Sequence, residues 1–396
     1  MSNQLKSLSK ENVLISRCQE WFELAERLGW KSYDPFDLLL SPYFRKIRSS
    51  SPFIARALIQ LGKRLGSTTR KLLQIQPHEE AKTFSDFLSA AIRLSRHGYL
   101  WTRSFVEPLA DSLKAKAIQT PNGFGWGLEF PYVSRFVNVP ARIPNAYTTA
   151  NAIRSLLDQY ELCNDPLDRE LAFLGCQCII RDLGEFSRNG STWFQYWPDC
   201  DIPAANVQAI LASTFVRAGI VLKDINFFDL ADRCVKVVLA TQRSDGSWYY
   251  SEDGRGWFVD GFHTGFILQG LSEYIQDRSA IDVTSVQMAL QKGMTYFKDH
   301  LITSSNMPRY YSDGKVSSDG QNFAQCIQTL AICATDDNDI LRAYAVWKNM
   351  LKIHKKISDH TAQRETALGS VTYLRWTIGP AVLATSHLIN ALLGMK

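Results

Sequence analysis

Asp260 and His263 stand three residues apart in the stretch SDGSWYYSEDGRGWFVDGFHTGF, residues 244–266. An imidazole oriented by a carboxylate is a general base or acid near neutral pH. A histidine just inside a helix start that bonds backbone is equally consistent with these residues. Glu129 and Asp253 form a second candidate pair, because two carboxylates serve acid/base chemistry on a glycosidic bond. Tyr250, with Tyr249, Tyr310 and Tyr311, offers alternative proton carriers. The candidate catalytic residues are therefore His263, Asp260, Asp253, Glu129 and Tyr250.

Around them, aromatic and polar residues recur in loops. GFGWGLEFPYVSRF (123–136) carries Trp126 and Arg135, and STWFQYWPDCDIP (191–203) carries Tyr196. The 244–266 stretch adds Trp248, Tyr249 and Trp257. MPRYYSDGKVSSDGQN (307–322) adds Tyr310, Tyr311 and Asp319, and TYLRWTIG (372–379) adds Arg375 and Trp376. Sugar C–H faces pack on aromatic rings, and sugar hydroxyls need paired donors and acceptors. The combination is carbohydrate-like, and a few convergent polar groups in an aromatic pocket suit any small-molecule site. For each residue singly, helix capping or gap filling is the competing explanation. Arg135 or Arg375 would neutralise a substrate carboxylate. No metal site is expected: Cys176 and Cys178 lie two apart in a helical run, on different faces, without a matching pair. Phosphate-binding glycine loops, nucleophile elbows and dinucleotide fingerprints are absent, so no cofactor is expected.

These loops need elements that bring them together. Helical apolar periodicity is nearly continuous and strand signals are scarce. Helices that follow aromatic–acidic loops begin near Phe84, Tyr147, Ala204, His263, Gly320 and Pro380, at intervals of 63, 57, 59, 57 and 60 residues. Such a period marks a repeat architecture of helix pairs. The phased helices are rich in Ala, Gly and Thr, which suits crowding around an axis, whereas the alternating ones are larger and more charged. The simplest closed arrangement is an all-α, (α/α)6 toroid of about twelve helices whose loops converge on one mouth. An open helical solenoid is the alternative. The toroid makes residues 1–396 a single domain, although a prior of ~150 residues per domain would give two or three.

Of 396 residues, 45% are hydrophobic and 21% charged, an ordinary globular balance that excludes a disordered chain or a disulfide scaffold. The N-terminus lacks the features of a secretory signal, and no apolar run approaches ~18 residues. The eight cysteines sit mostly in helical apolar patterns, as reduced thiols. These features lead to the expectation of a cytoplasmic protein. The net charge of +5 is concentrated early: between Asp37 and Glu79 there are eight bases and no acid. Residues 1–80 are read as a basic N-terminal helical segment packed on or flanking the ring. Its Arg45–Lys71 portion is helically amphipathic and offers peripheral contact with the inner face of a membrane or with a polyanion, or is simply a solvated face. Poor aromatic interleaving there argues against nucleic acid.

Two resemblances attach to the loops. QRSDGSW (Gln242–Trp248) resembles the Gln-to-Trp repeat of the terpenoid cyclase and protein prenyltransferase toroids, and QTPNGFGW (Gln119–Trp126) is a looser copy. Such repeats tie helices together. The acid motifs of that superfamily do not match: Asp199-Cys200-Asp201 is followed by Ile202, and Asp336–Asp339 lacks the required spacing. YDPFD (Tyr33–Asp37), GFGWGLEFPYVSR, SDGSWYYSEDGRGWFVDGFHTGF, PRYYSDGKVSSDGQNFAQCIQTL and YLRW, from Tyr33 to Trp376, are similar to VpsJ-like polysaccharide biosynthesis proteins of exopolysaccharide gene clusters. Here Gly320-Gln321 stands where that pattern has a His-Ser pair. The resemblance implies a toroid acting in surface polysaccharide biosynthesis on an oligosaccharide or lipid-linked saccharide. Epimerase, lyase and hydrolase chemistry all fit. The alternatives are an isoprenoid-handling toroid, which would need a dry aromatic cavity, and a non-catalytic saccharide-binding assembly factor.

Overall fold

The computed structural model describes residues 3–44, 46–252, 254–278, 281–353, 364–366 and 369–395. In chain order its helices are α1 (Asn3–Arg27), α2 (Ile47–Ser50), α3 (Pro52–Gly62), α4 (Ser67–Leu72), α5 (Ala81–Arg96), α6 (Arg103–Ala115), α7 (Ala146–Cys163) and α8 (Pro166–Gln177). They continue with α9 (Ala205–Leu222), α10 (Asn226–Ala240), α11 (Gly261–Asp277), α12 (Thr284–His300), α13 (Gly320–Ile332), α14 (Asp337–Ile353) and α15 (Gly379–Gly394). Helices α5, α7, α9, α11, α13 and α15 each pack on the next, and α15 returns to α5, which closes an inner ring. Helices α6, α8, α10, α12 and α14 pack outside it, and α1 takes the sixth outer place against α15. The fold is an (α/α)6 toroid. Of the N-terminal 80 residues, α1 thus belongs to the ring, and residues 28–80 form the flank.

Composition explains the layering. Helix α9 is apolar or small on nearly every face and almost wholly buried, as a helix touching neighbours all round must be. It and Leu374–Gly394 are long and apolar enough to cross a membrane by length and composition. However, 83% and 67% of them are buried inside the ring. No continuous run of large apolar residues announces them, because small and polar residues interrupt their Ile, Leu, Val and Phe positions. Close approach needs those small residues. A Cβ at Gly270 of α11 would come within 2.3 Å of the Ala209 carbonyl oxygen on α9, so only glycine allows this crossing. One continuous apolar core runs from Leu14 to Leu392 between the two layers.

The mouth lies at the N-terminal ends of the inner helices. Asn145, Asp260 and Asp319 are the N-caps of α7, α11 and α13, and each accepts a backbone N–H of the first turn. A cap of this kind contributes about 1 kcal/mol and fixes where the preceding loop enters. Among the described residues, four two-stranded antiparallel ribbons, all short, trim the loops. In addition, the loops before α11 and α13 are tied through Gly261 N–H to Tyr310 O (2.9 Å) and Ser312 N–H to Val259 O (3.1 Å). A π-helical turn, Leu374–Ile378, leads into α15.

The flank is pinned by buried charges. Arg70 is fully buried and donates to Asp37 Oδ1 (3.0 Å) and to the carbonyls of Asp34 (3.0 Å), Gly62 (2.8 Å) and Leu65. Helix α3 begins at Pro52 with Ser51 as its cap. It buries Ala55 and Ile59 against Phe36, Leu39, Phe130 and Val133. As a result, the basic flank forms a fixed wall beside the mouth.

Candidate active site

A cavity of about 920 Å³ opens at the mouth, between the loops and α3. His263 lines it on the first turn of α11. Its Nδ1 lies 2.7 Å from Asp260 Oδ2, and its backbone N–H donates to Asp260 Oδ1, also at 2.7 Å. Asp260 therefore caps the helix with one oxygen and holds the imidazole with the other. Asp260 is buried, while the His263 side chain keeps 23% exposure. With Nδ1 engaged as donor, the neutral ring presents Nε2 as an acceptor, which is the arrangement of a general base. Tyr250 packs edge-on to the imidazole at 4.6 Å between centroids, and Phe262 at 5.0 Å.

Phenols surround this dyad. Tyr132, Tyr147, Tyr196, Tyr250 and Tyr310 all line the cavity. Burial pushes each of these hydroxyls above its ordinary range. At neutral pH they are hydrogen-bond donors and reservoirs of protons rather than phenolates. Phe36, Phe258 and Trp376 supply further ring faces.

The charged lining divides into pinned and rim groups. Arg375 donates to Asp34 from Nε (2.6 Å) and Nη2 (2.8 Å) in a buried bidentate pair, and lies against the rings of Phe36, Phe130 and Trp376. Burial works against its charge, but Asp34 and Glu80 outweigh that and hold the guanidinium above its usual range. Lys82 lies 2.5 Å from Asp86 and is likewise buried. Asp319 is the single carboxylate among the described lining residues. Its Oδ1 caps α13, and its Oδ2 accepts from Trp376 Nε1 at 3.1 Å, which joins the loops before α13 and α15. Arg56 of α3, Lys63 just after it and Arg135 complete the rim.

The structure brings together His263, Asp260, Tyr250, Tyr196, Tyr310, Tyr311, Asp319, Arg135, Arg375 and Trp376. It places the others elsewhere. Trp126 is buried, and its Nε1 donates to Leu113 O at the end of α6 (2.9 Å). Trp248 does the same with Val238 O of α10 (2.9 Å). Gln242 Nε2 completes that tie by donating to Gly246 O (3.1 Å) and Ala289 O (2.8 Å). Both tryptophans are packing ties, as their Gln-to-Trp context implies, and neither lines the cavity. Glu129 is engaged by Arg142 at 3.1 Å and Lys116 at 3.9 Å, also off the cavity. Tyr249 stacks with Trp257 at 6.4 Å between centroids, and Trp257 is 65% exposed; neither lines the cavity. Asp253 lies outside the described residues. Tyr147 also lines the cavity at the start of α7, as a residue beside a mouth loop should. Sequence alone assigned no site role to Asp34, Arg56, Lys63 or Tyr132, although Asp34 stands in the YDPFD stretch and Arg56 and Lys63 in the basic amphipathic segment. Among the described residues no cluster of three or more His, Cys, Asp or Glu is arranged to hold a metal ion. The charged lining argues against the isoprenoid alternative, which needs a dry apolar cavity.

No family model matches the chain, and no curated protein matches it significantly in sequence. Solved structures share the fold. A cellobiose 2-epimerase from Spirochaeta thermophila is similar with a TM-score of 0.59 at 13% identity, over 90% of this chain and 99% of that one. A GH76 alpha-mannanase from Bacteroides thetaiotaomicron gives 0.54 at 12% identity, over 80% and 86%. A polysaccharide lyase gives 0.54 at 10% identity, over 79% and 91%. These neighbours are carbohydrate-processing enzymes built on the same toroid.

Proposed function

We propose that this toroid is a saccharide-modifying enzyme that moves a proton at a sugar carbon, as an epimerase or lyase does, with His263 Nε2 as the base. The observation that carries this reading is the Asp260–His263 pair at 2.7 Å on the wall of an aromatic cavity, with the protonated Tyr250 phenol against it. Asp260 is a positioning residue: it selects the tautomer and stabilises the imidazolium once the proton is taken. A tyrosine hydroxyl across the ring would return a proton to the opposite face in epimerisation, or to the departing oxygen in elimination. Two-carboxylate hydrolysis is disfavoured, because Glu129 is committed to Arg142 and Lys116 and Asp319 is spent on a cap and an indole.

The resemblance to exopolysaccharide-cluster proteins supports a place in surface polysaccharide assembly, on an oligosaccharide or lipid-linked saccharide. Phe53 and Ile54, at the start of α3, are exposed, with the Arg56 guanidinium 5.8 Å from the centre of the Phe53 ring at the cavity edge, and this supports peripheral membrane contact on the cytoplasmic side. The test is incubation of the purified protein with saccharides in deuterated water. Mass spectrometry should find one deuteron on carbon in product or recovered substrate, and His263→Gln should abolish it. Saccharide binding without solvent exchange or product, unchanged by His263→Gln, would instead identify a non-catalytic binding factor.

A further inference from the structure

The cavity has a charge asymmetry that the proton-transfer reading does not itself require. Five cations line it, Arg56, Lys63, Lys82, Arg135 and Arg375, against one described carboxylate, Asp319. Arg375 is paired with Asp34 and Lys82 with Asp86. The remainder stand at the rim. Arg56 and Arg135 form no ion pair among the described residues. Arg135 spends one N–H on the carbonyl of Arg255 (3.1 Å) and lies over the rings of Phe136 and Phe258 at 5.9 and 6.0 Å. Lys63 Nζ sits 4.7 Å from the centre of the Phe36 ring. Arg56 is half-buried on the anchored side of α3, one turn before Gln60, which also lines the cavity. Cations fixed over aromatic rings at the edge of a cavity hold a positive potential that a bound anion would neutralise.

We infer that the ligand is an acidic saccharide, a uronate, whose ring carboxylate is held between Arg56 of α3 and Arg135 across the mouth. This rests on the saccharide reading above and names the substrate class. Two lines of chemistry converge on a carboxylate. A guanidinium fork matches a carboxylate in plane and bidentately. Furthermore, an imidazole removes a carbon-bound sugar proton only where the carbanion is stabilised. Beside a carboxylate, the electron pair left by the broken C–H bond delocalises onto the carboxyl oxygens as the proton passes to His263 Nε2. The rim cations neutralise the second negative charge that develops there. Reprotonation of the carbon then gives the epimer; loss of the oxygen at the neighbouring carbon gives an unsaturated uronate and a new hydroxyl end. In either outcome atoms and charge balance without a further reactant. Helix α3, which belongs to the flank and not to the ring, is on this view the element that selects acidic sugars.

A phosphate ester is the other source of saccharide charge, and the experiment separates the two. Binding is measured by calorimetry with an oligouronate, its carboxyl-reduced neutral counterpart and a phosphorylated oligosaccharide. The uronate should bind at least about tenfold more tightly than the neutral sugar, and that preference should shrink as salt rises. Arg56→Ala with Arg135→Ala should reduce it to about twofold or less; both side chains have solvent access, so thermal melting should be unchanged. Equal affinity for the uronate and its reduced counterpart overturns the inference. So does binding of the phosphorylated sugar alone, which would assign the rim to phosphate. If none of the three binds, the saccharide reading itself falls and takes this inference with it.

Discussion

The dual use of Asp260 makes a sharp prediction for Asp260→Asn. The capping oxygen receives the His263 backbone N–H at 2.7 Å, and the other oxygen faces Nδ1 at 2.7 Å. An asparagine must keep its amide oxygen on the backbone N–H, since that is the only acceptor the cap has room for. Its NH2 group then points at Nδ1 and compels that nitrogen to accept. The neutral imidazole is thereby driven into the tautomer with the proton on Nε2, where it can no longer act as a base. Asparagine caps helices about as well as aspartate, so stability should change by less than about 1 kcal/mol. Asp260→Ala, by contrast, should cost roughly 1–2 kcal/mol. The same kind of substitution, with geometry intact and the tautomer reversed, lowers kcat by about 10⁴ in a serine protease triad. Here a loss of roughly 10²–10⁴ in kcat with little change in KM is expected, the scale of general base catalysis. The tautomer can be read without substrate by long-range ¹H–¹⁵N correlation on protein labelled in its imidazole nitrogens. The native protein should show a protonated Nδ1 for neutral His263, and the Asn variant a protonated Nε2. An Asn variant that keeps the native tautomer, or that turns over at the native rate with the tautomer reversed, would refute the reasoning.

Other outcomes follow from the same geometry. Asp34→Ala should destabilise the fold by about 3–5 kcal/mol in urea titration, because it strands the buried Arg375 guanidinium. Trp248→Phe should lose the bond to Val238 O and about 1 kcal/mol of stability while leaving saccharide affinity unchanged; reduced affinity would return this residue to the site. His78 is raised to about 9: burial opposes its charge, but Glu80, 3.1 Å away, overcomes that. Its contribution to stability should thus be complete below its unfolded value of about 6.5 and disappear as pH rises through about 9. Denaturation midpoints from pH 6 to 10, with His78→Gln as the flat control, check this. Vesicles rich in anionic lipid should carry the protein upward in flotation at low salt, and Phe53→Asp with Arg64→Glu should abolish it. Native protein that stays at the bottom at every salt concentration would remove the membrane contact.

The ring was legible in the sequence because its period is carried by helix starts. Starts expected near Tyr147, Ala204, His263, Gly320 and Pro380 fall at Ala146, Ala205, Gly261, Gly320 and Gly379. The poorest placement, Phe84 against Ala81, has a local cause. Glu80 occupies that cap position but makes no side-chain cap bond, its carboxylate accepting from Glu129 N–H instead, so the usual N-cap signal is missing. The ribbons escaped notice because strands of two to four residues show little alternation. Loop tryptophans could not be sorted by type. Trp126 and Trp248 tie outer helices, Trp376 lines the cavity and Trp257 faces solvent, and only the Gln-to-Trp context distinguishes the first two. The contribution of α3 was hidden for a different reason. Arg56 and Lys63 read as a basic amphipathic face, and nothing local says that the face turns toward loops more than 70 residues away.

How the site arises from the fold can be followed at its three capped helices. Asn145, Asp260 and Asp319 occupy the same place, one residue before an inner helix, and each accepts a first-turn backbone N–H. The residue three positions on is Thr148, His263 or Asn322. At Asp319 the second oxygen takes the Trp376 indole and ties two loops, which is structural work. At Asp260 the second oxygen meets an imidazole because the side chain at the third position of a capped helix projects back over its own cap. The dyad therefore needs no dedicated loop and no added strain. One residue type, placed on a frame that recurs around the ring for capping, turns a structural carboxylate into one that also orients an imidazole. Other chemistry could be built on the same mouth by changing that third residue while the ring stays as it is, in keeping with a toroid shared by an epimerase, a mannanase and a lyase.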